Sequence, residues 1–276
     1  MMPYAIVPFI DNFSLTRQAV QDLLAQSVQP TILLIDNGST ETPRSDVEDL
    51  VRESRGRVLA WFHTPPLLSL SATWNRALQF VWESGGTEAL LVNNDVRLHR
   101  ETYQVLLDVQ AATHAYLVTG VECKDELLWQ AAQHADVWRA GAHLPLPRLE
   151  GPSFSCFLLT KEGHQKYPFD EGYQPAYVED VDLHRRMMLK GDGQKIFGLN
   201  LPFFHVGSAT INRSAVIAHK FSQRIDQGSR RYHREKWGGS CNEEIWTRPF
   251  DLTSKRDGVT TPELFERVRY GHQVLP

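Results

Sequence analysis

The chain has 276 residues, 42% of them hydrophobic, which is enough to bury a full core as one large domain or a domain with an appendage. Its formal net charge of −4 gives no overall attraction to nucleic acid or to anionic membranes. The sequence contains no apolar run of about 20 residues and no basic, hydrophobic leader, so we expect a soluble, cytoplasmic protein and leave peripheral membrane association open. The three cysteines are widely spaced and odd in number, which favours reduced thiols.

The first hundred residues alternate between apolar strands and amphipathic helices. Strands are predicted at 4–10, 31–36, 57–63 and 88–95, and helices at 14–28, 44–54 and 69–85. Ser14 is the expected N-cap of the first helix, and Ser39 or Thr40 that of the second. This order predicts an α/β fold with a mostly parallel, doubly wound central sheet flanked by helices. In such sheets ligands bind beyond the carboxyl ends of the strands.

After residue 100 the pattern becomes less regular. A helix (100–114) and a strand (115–122) precede an irregular, Pro-rich stretch that ends near residue 151. A strand that turns into a helix (153–167), a helix (177–191) and a strand with a loop (193–210) follow. A long basic helix from 216 to 236 begins the last part of the chain. We interpret the whole as one compact domain with a helical C-terminal appendage.

The segment "YVEDVDLHRRMMLKG", residues 177–191, places Glu179, Asp180 and Asp182 close together before an apolar stripe. One interpretation is a helix with an acidic first turn, which the helix dipole favours, ending at Gly191. The other is that one carboxylate acts on a substrate and the helix holds it in place. In the second interpretation Leu183 and Met187 share a helix face with Asp180 and fix the helix in the core.

Three polar residues stand at the ends of predicted strands. Asp36 begins the sequence "DNGST", which is either a turn with a cap or the position of a contact to a nucleoside base or ribose. Asp95 is either a turn former or a ligand of Mg²⁺ or Mn²⁺, ions that combine one or two carboxylates with substrate phosphates. His205 is either a packed core histidine or a ligand that completes the Asp95 site.

Taken in order, these segments resemble the family 2 glycosyltransferases of the GT-A fold. The resemblance runs from "VPFIDNFSLTRQAVQDLLAQSVQPTILLIDNGSTE" through "LSATWNRAL", "LLVNND", "SFSCFLLTKE" and "VEDVDLHRRMMLKG" to "FHVGSAT", and covers about residues 1–240. The segment "RYHREKWGG" is similar to rhamnosyl- and galactofuranosyl-type members. The resemblance implies a nucleotide-sugar-binding half at 1–100, an acceptor-binding half at 101–215 and a helical extension at 216–276.

The resemblance also implies roles for individual residues. Six line the donor site: Pro8, in the loop after the first strand, Asp36, Asn37, Asn75, Arg76 and Asn94. The metal ligands are Asp95, Asn93 and His205, with Asn93 to Asp95 matching the DxD signature. Asp180 matches the catalytic base of inverting members, with Glu179 acting beside it, for instance by binding an acceptor hydroxyl. Asn93 departs from the signature, because an uncharged amide replaces the first carboxylate and lowers the expected metal affinity.

The implied activity is the transfer of a sugar from a nucleotide-diphosphate donor, with UDP the favoured nucleotide, to an acceptor hydroxyl. A divalent cation, Mn²⁺ or Mg²⁺, would offset the charge that develops on the departing diphosphate. A carboxylate base facing the acceptor hydroxyl gives inversion of the anomeric centre. The acceptor is expected to be a saccharide, a glycolipid or a polyanionic polymer, glycosylated or modified nucleic acid included, and an oligomer is left open.

The second half of the chain supplies candidate acceptor contacts. At most one of four aromatic residues is expected to stack on a sugar ring: Trp129, Trp138, Tyr173 and Tyr177. The basic helix is either a solvated face or a rim that attracts a polyanion. Its cations are Lys220, Arg224, Arg230, Arg231, Arg234 and Lys236.

Other functions fit the sequence less well. A dehydrogenase is disfavoured because no G-x-G-x-x-G motif follows the first strand. A nucleotidyltransferase shares the sheet and the metal chemistry, but it gives no reason for the acidic pair Glu179 and Asp180. A sugar-nucleotide-binding protein with weak or no catalysis is the third alternative, suggested by Asn93.

Overall fold

The computed structural model describes residues 3–63, 69–133, 154–207 and 222–251. In these ranges the chain forms one eight-stranded sheet in the order β3-β2-β1-β4-β7-β6-β8-β5. The strands are β1 (Tyr4–Phe9), β2 (Thr31–Asp36), β3 (Val58–Phe62), β4 (Glu88–Val92), β5 (Val96–Arg97), β6 (Leu117–Cys123), β7 (Cys156–Thr160) and β8 (Ile196–His205). The predicted α/β class with a mostly parallel central sheet is confirmed.

Most strands run in one direction. Strands β3, β2, β1 and β4 are parallel to one another, β7 is antiparallel to both β4 and β6, and β8 is again parallel to β6. The short strand β5 pairs antiparallel with β8. The carboxyl ends of β1, β2, β3, β4, β6 and β8 therefore lie along one side of the sheet, here called the carboxyl edge.

Helices cover both faces of the sheet. They are α1 (Phe13–Leu24), α2 (Arg44–Glu53), α3 (Leu70–Glu83), α4 (Thr102–Thr113), α5 (Glu126–Ala132), α6 (Lys161–Lys166), α7 (Glu179–Leu189) and α8 (Arg231–Trp237), which directly follows a π-helical turn (Asp226–Arg230). No helix in the described ranges is long and apolar enough to cross a membrane.

Two predicted helix starts are wrong. Helix α1 begins after Asn12, which adopts a left-handed conformation that asparagine tolerates, and not after Ser14. Helix α2 begins after Pro43, and neither Ser39 nor Thr40 caps it. The hydroxyl oxygen of Ser39 instead accepts the backbone N–H of Asp11, so it joins the loops that follow β1 and β2.

The sheet separates two hydrophobic layers because successive side chains of a strand point to opposite faces. The first layer packs against α1, α2, α4 and α5. The second packs against α3 and α7 and is rich in aromatic rings, with Trp74 lying edge-on to Phe157 at 5.7 Å between centroids. Leu183 and Met187 of α7 are buried in this second layer, as the sequence predicted.

The described part of the C-terminal extension packs against α7 through the side chain of Asp182, which is fully buried. One oxygen of Asp182 accepts the indole N–H of Trp237 at 2.8 Å and lies 2.6 Å from Lys236 Nζ, and the other pairs with Arg186 at 2.8 Å. Burial alone raises the pKa of Asp182, but the two cations outweigh burial and hold that pKa below its ordinary value. Lys236 is 4% exposed, so it does not belong to the predicted basic rim.

Removing this carboxylate charge should destabilise the fold. Asp182→Asn leaves Lys236 buried with a reduced set of anionic partners, and breaking a buried pair costs about 3–5 kcal/mol in the free energy of unfolding. Urea denaturation measures the loss. The matched control is Asp226→Asn, which removes a solvent-exposed pair with Arg230 and should cost less than about 1 kcal/mol. Equal, small losses in both variants would contradict the assignment of Asp182 as a structural ion-pair centre.

Candidate active site at the carboxyl edge

Asp95 and His205, from distant parts of the chain, are in contact at the carboxyl edge. The Nε2 atom of His205 lies 3.2 Å from Asp95 Oδ1. Its Nδ1 atom lies 3.0 Å from Glu122 Oε1 and 3.2 Å from the hydroxyl of Ser155. Burial alone lowers the pKa of His205, but hydrogen bonds to the two carboxylates outweigh burial and raise that pKa to about 9. His205 therefore bridges two acidic side chains.

The turn that follows β4 fixes Asp95. Its carbonyl oxygen accepts the N–H of Val206, which ties the turn to the end of β8. Asn93 and Asn94 precede Asp95 in this turn, and the side-chain amide of Asn94 donates to the hydroxyl of Thr16 on α1 at 3.1 Å. The structure therefore gives Asn94 a role in holding the turn against α1, and its predicted contact with a nucleotide stays a prediction.

The donor atoms around Asp95 suit a hard or borderline divalent cation. A carboxylate oxygen and an imidazole nitrogen lie side by side, and the amide oxygen of Asn93 belongs to the same turn. Because the raised pKa of His205 keeps its ring protonated near neutral pH, a cation would have to displace the proton on Nε2 to bind there. Across the four described ranges, no group of three or more His, Cys, Asp or Glu side chains is placed to hold a metal ion by itself. The residues present fit a cation that takes one or two protein ligands and completes its coordination with substrate phosphates and water, as Mg²⁺ and Mn²⁺ do.

A second polar group lies where β2 and β3 end. Asp36, the last residue of β2, is buried, and its Oδ1 accepts the backbone N–H of Ser39 at 2.7 Å. His63 follows β3 and donates its backbone N–H to the carbonyl of Asp36 at 2.9 Å. Burial lowers the pKa of His63, exposed Arg76 lowers it further, and Asp36 opposes both. The charges of the predicted residues Asp36 and Arg76 therefore both act on the pKa of His63.

The predicted donor-site residues Pro8 and Asn37 are both buried in the structure. Pro8 does not lie in a loop, because β1 continues through Phe9 and Pro8 is buried inside the strand opposite Ile35. Asn37 is buried directly after β2, and its backbone N–H donates to the carbonyl of Phe9. A role for either residue in nucleotide binding stays a prediction.

The side chain of Asn75 is engaged by other parts of the protein. Its Nδ2 donates to the carbonyl of Phe169 at 2.8 Å and to Glu171 Oε1 at 3.0 Å. Its Oδ1 accepts the backbone N–H of Phe169 at 3.0 Å and lies 3.0 Å from His164 Nε2. The structure therefore favours a supporting role, in which Asn75 fixes residues 169–171 to α3, over the predicted contact with a base or pyrophosphate.

Helix α7 presents its N-terminus at the carboxyl edge. The loop before it reaches the start of α3, where the carbonyl of Pro175 accepts the N–H of Leu70 at 2.9 Å, and α3 follows the carboxyl end of β3. After α7 the chain enters β8 at Ile196, opposite Leu117 at the start of β6, so the C-terminus of α7 faces the other edge. The acidic first turn of α7 thus lies at the same edge of the sheet as Asp95.

The residues immediately before α7 are strained. Tyr177 and Val178 both adopt left-handed conformations, with φ of 76° and 74°. Such a conformation costs on the order of 1–3 kcal/mol per non-glycine residue and is rare for a β-branched side chain such as valine. The surrounding structure must therefore hold this turn in place, and strain of this kind concentrates at functional sites.

The three carboxylates of α7 have different environments. Asp182 belongs to the buried ion-pair centre. Glu179 is 5% exposed, its Oε2 has no hydrogen-bond partner in the described structure, and burial together with Asp180 raises its pKa to about 8. Asp180 is half-buried, and burial raises its pKa although the N–H of Val181 donates to it at 2.8 Å. A purely solvated acidic turn does not describe the segment, and the interpretation in which one carboxylate acts on a substrate stays a prediction.

The structure narrows the candidate acceptor contacts. Trp129 and Tyr173 are buried, so neither ring is free to stack on an acceptor sugar. Tyr177, at the strained turn before α7, is 38% exposed. Trp138 and Lys220 lie outside the described residues. Four predicted rim cations are exposed: Arg224, Arg230, Arg231 and Arg234.

Sequence reasoning missed Glu122, Ser155 and His63. Glu122 and His63 each stand at or just after the carboxyl end of a strand, so the rule that located Asp36 and Asp95 also applies to them. Ser155 precedes an antiparallel strand and carries no comparable sequence signal. Its contact with His205 depends on the pairing order of the sheet.

The buried carboxyl of Glu179 should make stability depend on pH. Between its ordinary pKa and about 8, the folded protein keeps a proton that the unfolded chain releases. The free energy of unfolding should therefore fall as pH rises through this window, by at most about 1.4 kcal/mol per pH unit. Glu179→Gln lacks the titration and should flatten this dependence in urea denaturation from pH 5 to pH 8.

Glu48→Gln, which changes an exposed glutamate of α2, is the control and should follow the wild-type pH dependence. If the curves of wild type and Glu179→Gln run parallel from pH 5 to pH 8, Glu179 is not a proton-retaining group.

Comparison with solved structures identifies the fold. The mannosyltransferase PcManGT from Pyrobaculum calidifontis, solved with GDP-Man and Mn²⁺, shares 14% identity at a TM-score of 0.55 over 83% of this chain. GalNAc-T7, solved with UDP, GalNAc and Mn²⁺, shares 11% identity at a TM-score of 0.57 over 74% of this chain. This chain spans 66% of the former and 44% of the latter, less than two thirds of each.

Glucosyl-3-phosphoglycerate synthase from Mycobacterium tuberculosis, solved with Mn²⁺, UDP and glucosyl-3-phosphoglycerate, shares 15% identity at a TM-score of 0.53, over 82% of this chain and 77% of that one. No protein-family profile and no curated protein sequence matches the chain. Membership of family 2, and of its rhamnosyl- or galactofuranosyl-type branch, stays a prediction. The mostly parallel eight-stranded sheet with its flanking helices has the GT-A fold of these glycosyltransferases.

Proposed function

We propose that this protein is a metal-assisted, inverting glycosyltransferase that moves a sugar from a nucleotide-diphosphate donor to an acceptor hydroxyl. The observation that carries the proposal is the contact of Asp95 with His205 at the edge of the sheet where α7 presents Asp180. The three similar structures, each solved with Mn²⁺ and with UDP or GDP-Man, support the same reaction class.

The donor would lie along the carboxyl edge. Asp36 would contact the base or ribose beyond β2; His63 donates its backbone N–H to the Asp36 carbonyl, and Arg76 lies near enough to His63 to lower its pKa. Asp95 and His205 lie farther along the same edge, beyond β4 and β8. UDP is the nucleotide we expect, since a uridine diphosphate accompanies two of the three similar proteins.

Asp95, His205 and Asn93 would hold the divalent cation. When bound, the cation stabilises the negative charge that develops on the departing diphosphate. Because the Asn93 amide oxygen is uncharged, the protein contributes one carboxylate directly, and the diphosphate must supply part of the coordination. Glu122 and Ser155 contact the ring nitrogen of His205 that faces away from Asp95, and so orient the imidazole.

Asp180 would remove the proton from the attacking acceptor hydroxyl. The residue is half-buried at the carboxyl edge, and burial raises the pKa of its carboxyl group, which makes that group a stronger base once it is ionised. Attack from the face opposite the leaving diphosphate, with one carboxylate base, inverts the anomeric centre. Glu179 keeps a proton near neutral pH, which limits its repulsion of Asp180 and leaves it able to donate a hydrogen bond to an acceptor hydroxyl.

The acceptor we favour is a saccharide or a glycolipid sugar, because Tyr177 is an exposed aromatic residue two positions before Glu179. Residues 222–251, the described part of the C-terminal extension, are here called the C-terminal segment. A polyanionic acceptor would instead contact the exposed arginines of this segment, Arg224, Arg230, Arg231 and Arg234. Two of them already pair with neighbouring carboxylates: Arg230 with Asp226, and Arg231 with Glu235.

Donor binding can be identified by thermal stability. In a screen of UDP-, GDP- and dTDP-sugars with and without Mn²⁺, the correct donor at a hundredfold excess over its dissociation constant should raise the apparent stability by about 2.7 kcal/mol. Asp95→Ala should abolish the part of that gain that requires Mn²⁺. Asp49→Ala, at an exposed position of α2, is the control. Stabilisation by Mn²⁺ and donor that survives Asp95→Ala would refute the metal assignment.

Turnover should depend on Asp180. Asp180→Asn keeps the shape of the side chain but removes the base, so transfer should fall about 10²–10⁴-fold while the dissociation constant of the donor changes little. Nucleotide release and calorimetric binding measure the two quantities. Asp49→Asn should behave as wild type, and near-normal turnover in Asp180→Asn would remove the assignment of the base. Donor binding without turnover in the wild-type protein, on any acceptor, would favour a binding protein.

A further inference from the structure

The loop that enters α7 is held by the C-terminal segment. Ser229 lies in the π-helical turn before α8 and is fully buried. Its backbone N–H donates to the carbonyl of Gln174 at 2.9 Å, and its hydroxyl lies 2.7 Å from the carbonyl of Ala176 and 2.9 Å from that of Gln174. Because a hydroxyl has one hydrogen, we assign that hydrogen to the closer carbonyl, Ala176, and the backbone amide to Gln174.

These bonds come directly before the strained turn. Ala176 precedes Tyr177 and Val178, the two left-handed residues, and Glu179 and Asp180 follow them. A strained conformation persists only where surrounding contacts determine it, and the carbonyl of Ala176 is an anchor point on its N-terminal side. The position of Asp180 therefore depends on a contact made by a residue almost fifty positions later in the chain.

The π-helical geometry suits this contact. Single π-turns within helices are uncommon and often occur at functional sites. Here the turn brings the backbone of Gly228 against the carbonyl of Gln174, and a Cβ atom at this position would overlap that oxygen. Only glycine permits the approach that places Ser229 within hydrogen-bond distance of both carbonyls.

The same segment also holds the first turns of α7. Trp237 and Lys236 of α8 bind Asp182, and Arg185 donates to the carbonyl of Trp246 at 2.7 Å. The entry loop and the body of α7 are thus both bound by residues from the C-terminal segment.

We propose that the π-helical turn Asp226–Arg230 is a positioning element of the active site, in which Ser229 fixes the strained turn that presents Glu179 and Asp180. This inference rests on the proposed role of Asp180 as the base. Ser229 touches neither donor nor acceptor, and it acts on the reaction through the backbone of residues 174–178.

Hydrogen–deuterium exchange tests the structural part without any ligand. In Ser229→Ala, the amides of residues 177–182 should exchange roughly tenfold faster or more, while the amides of α8 keep their protection. The matched control is Ser54→Ala, which removes another buried hydroxyl with two hydrogen bonds, to Val51 and Val58, far from α7. Unchanged exchange at 177–182 in Ser229→Ala overturns the proposal.

Kinetics tests the consequence, with nucleotide release from a panel of UDP-, GDP- and dTDP-hexoses in the presence of Mn²⁺. Ser229→Ala and Gly228→Ala should lower kcat roughly tenfold or more and leave the KM for the donor unchanged, because a displaced base affects the chemical step and not donor binding. Ser54→Ala should retain wild-type kcat. Wild-type kcat in Ser229→Ala, with Asp180→Asn inactive, overturns the positioning role and leaves the proposed function intact.

If Asp180→Asn itself retains turnover, the proposed base is wrong, and the exchange data alone decide whether Ser229 holds the turn. Faster exchange at 177–182 then supports the contact, and unchanged exchange rejects it.

Discussion

The contact between His205 and Asp95 is the interaction on which the functional account depends. It joins the turn after β4 to the end of β8, two strands separated in the sheet by β7 and β6. The antiparallel strand β7 carries Ser155 just before its first residue, and β6 carries Glu122 near its end, so both intervening strands also contribute a side chain to His205. The sheet order thus assembles a group that no single segment of the chain contains.

The three carboxyl groups in the first turn of helix α7 differ in their burial, their partners and their protonation. Asp182 is neutralised by Lys236 and Arg186, and binds the C-terminal segment to the core. Glu179 is buried without a cation and keeps its proton, whereas Asp180 is half-buried at the edge. Three like charges in one turn would repel one another, and the fold avoids this repulsion by pairing one carboxylate and protonating another. The remaining carboxylate, that of Asp180, is the one we propose as the base.

The sequence predicted the parts of the structure that depend on local pattern. Apolar runs followed by Asp36 and Asp95 identified strand ends, because parallel strands bring their carboxyl ends to one edge whatever their order. The apolar stripe of Leu183 and Met187 identified the buried face of α7. The antiparallel direction of β7 was not predictable, since a strand buried on both faces shows the same apolar run in either direction. The helix start at Asn12 was missed because its left-handed conformation leaves no distinct pattern.

Contacts between segments that are distant in the chain could not be predicted from the sequence either. Lys236 and Trp237, which bind Asp182, and Ser229, which binds Ala176, lie about fifty residues farther along the chain, in a segment whose charges suggested a solvated face. The most direct test of the account is a crystal structure of the protein with Mn²⁺ and UDP, read by the anomalous signal of manganese. We predict manganese coordinated by Asp95 and His205, with the diphosphate beside Asp180 at the carboxyl edge of the sheet. Manganese bound elsewhere, or a diphosphate remote from Asp180, would contradict it.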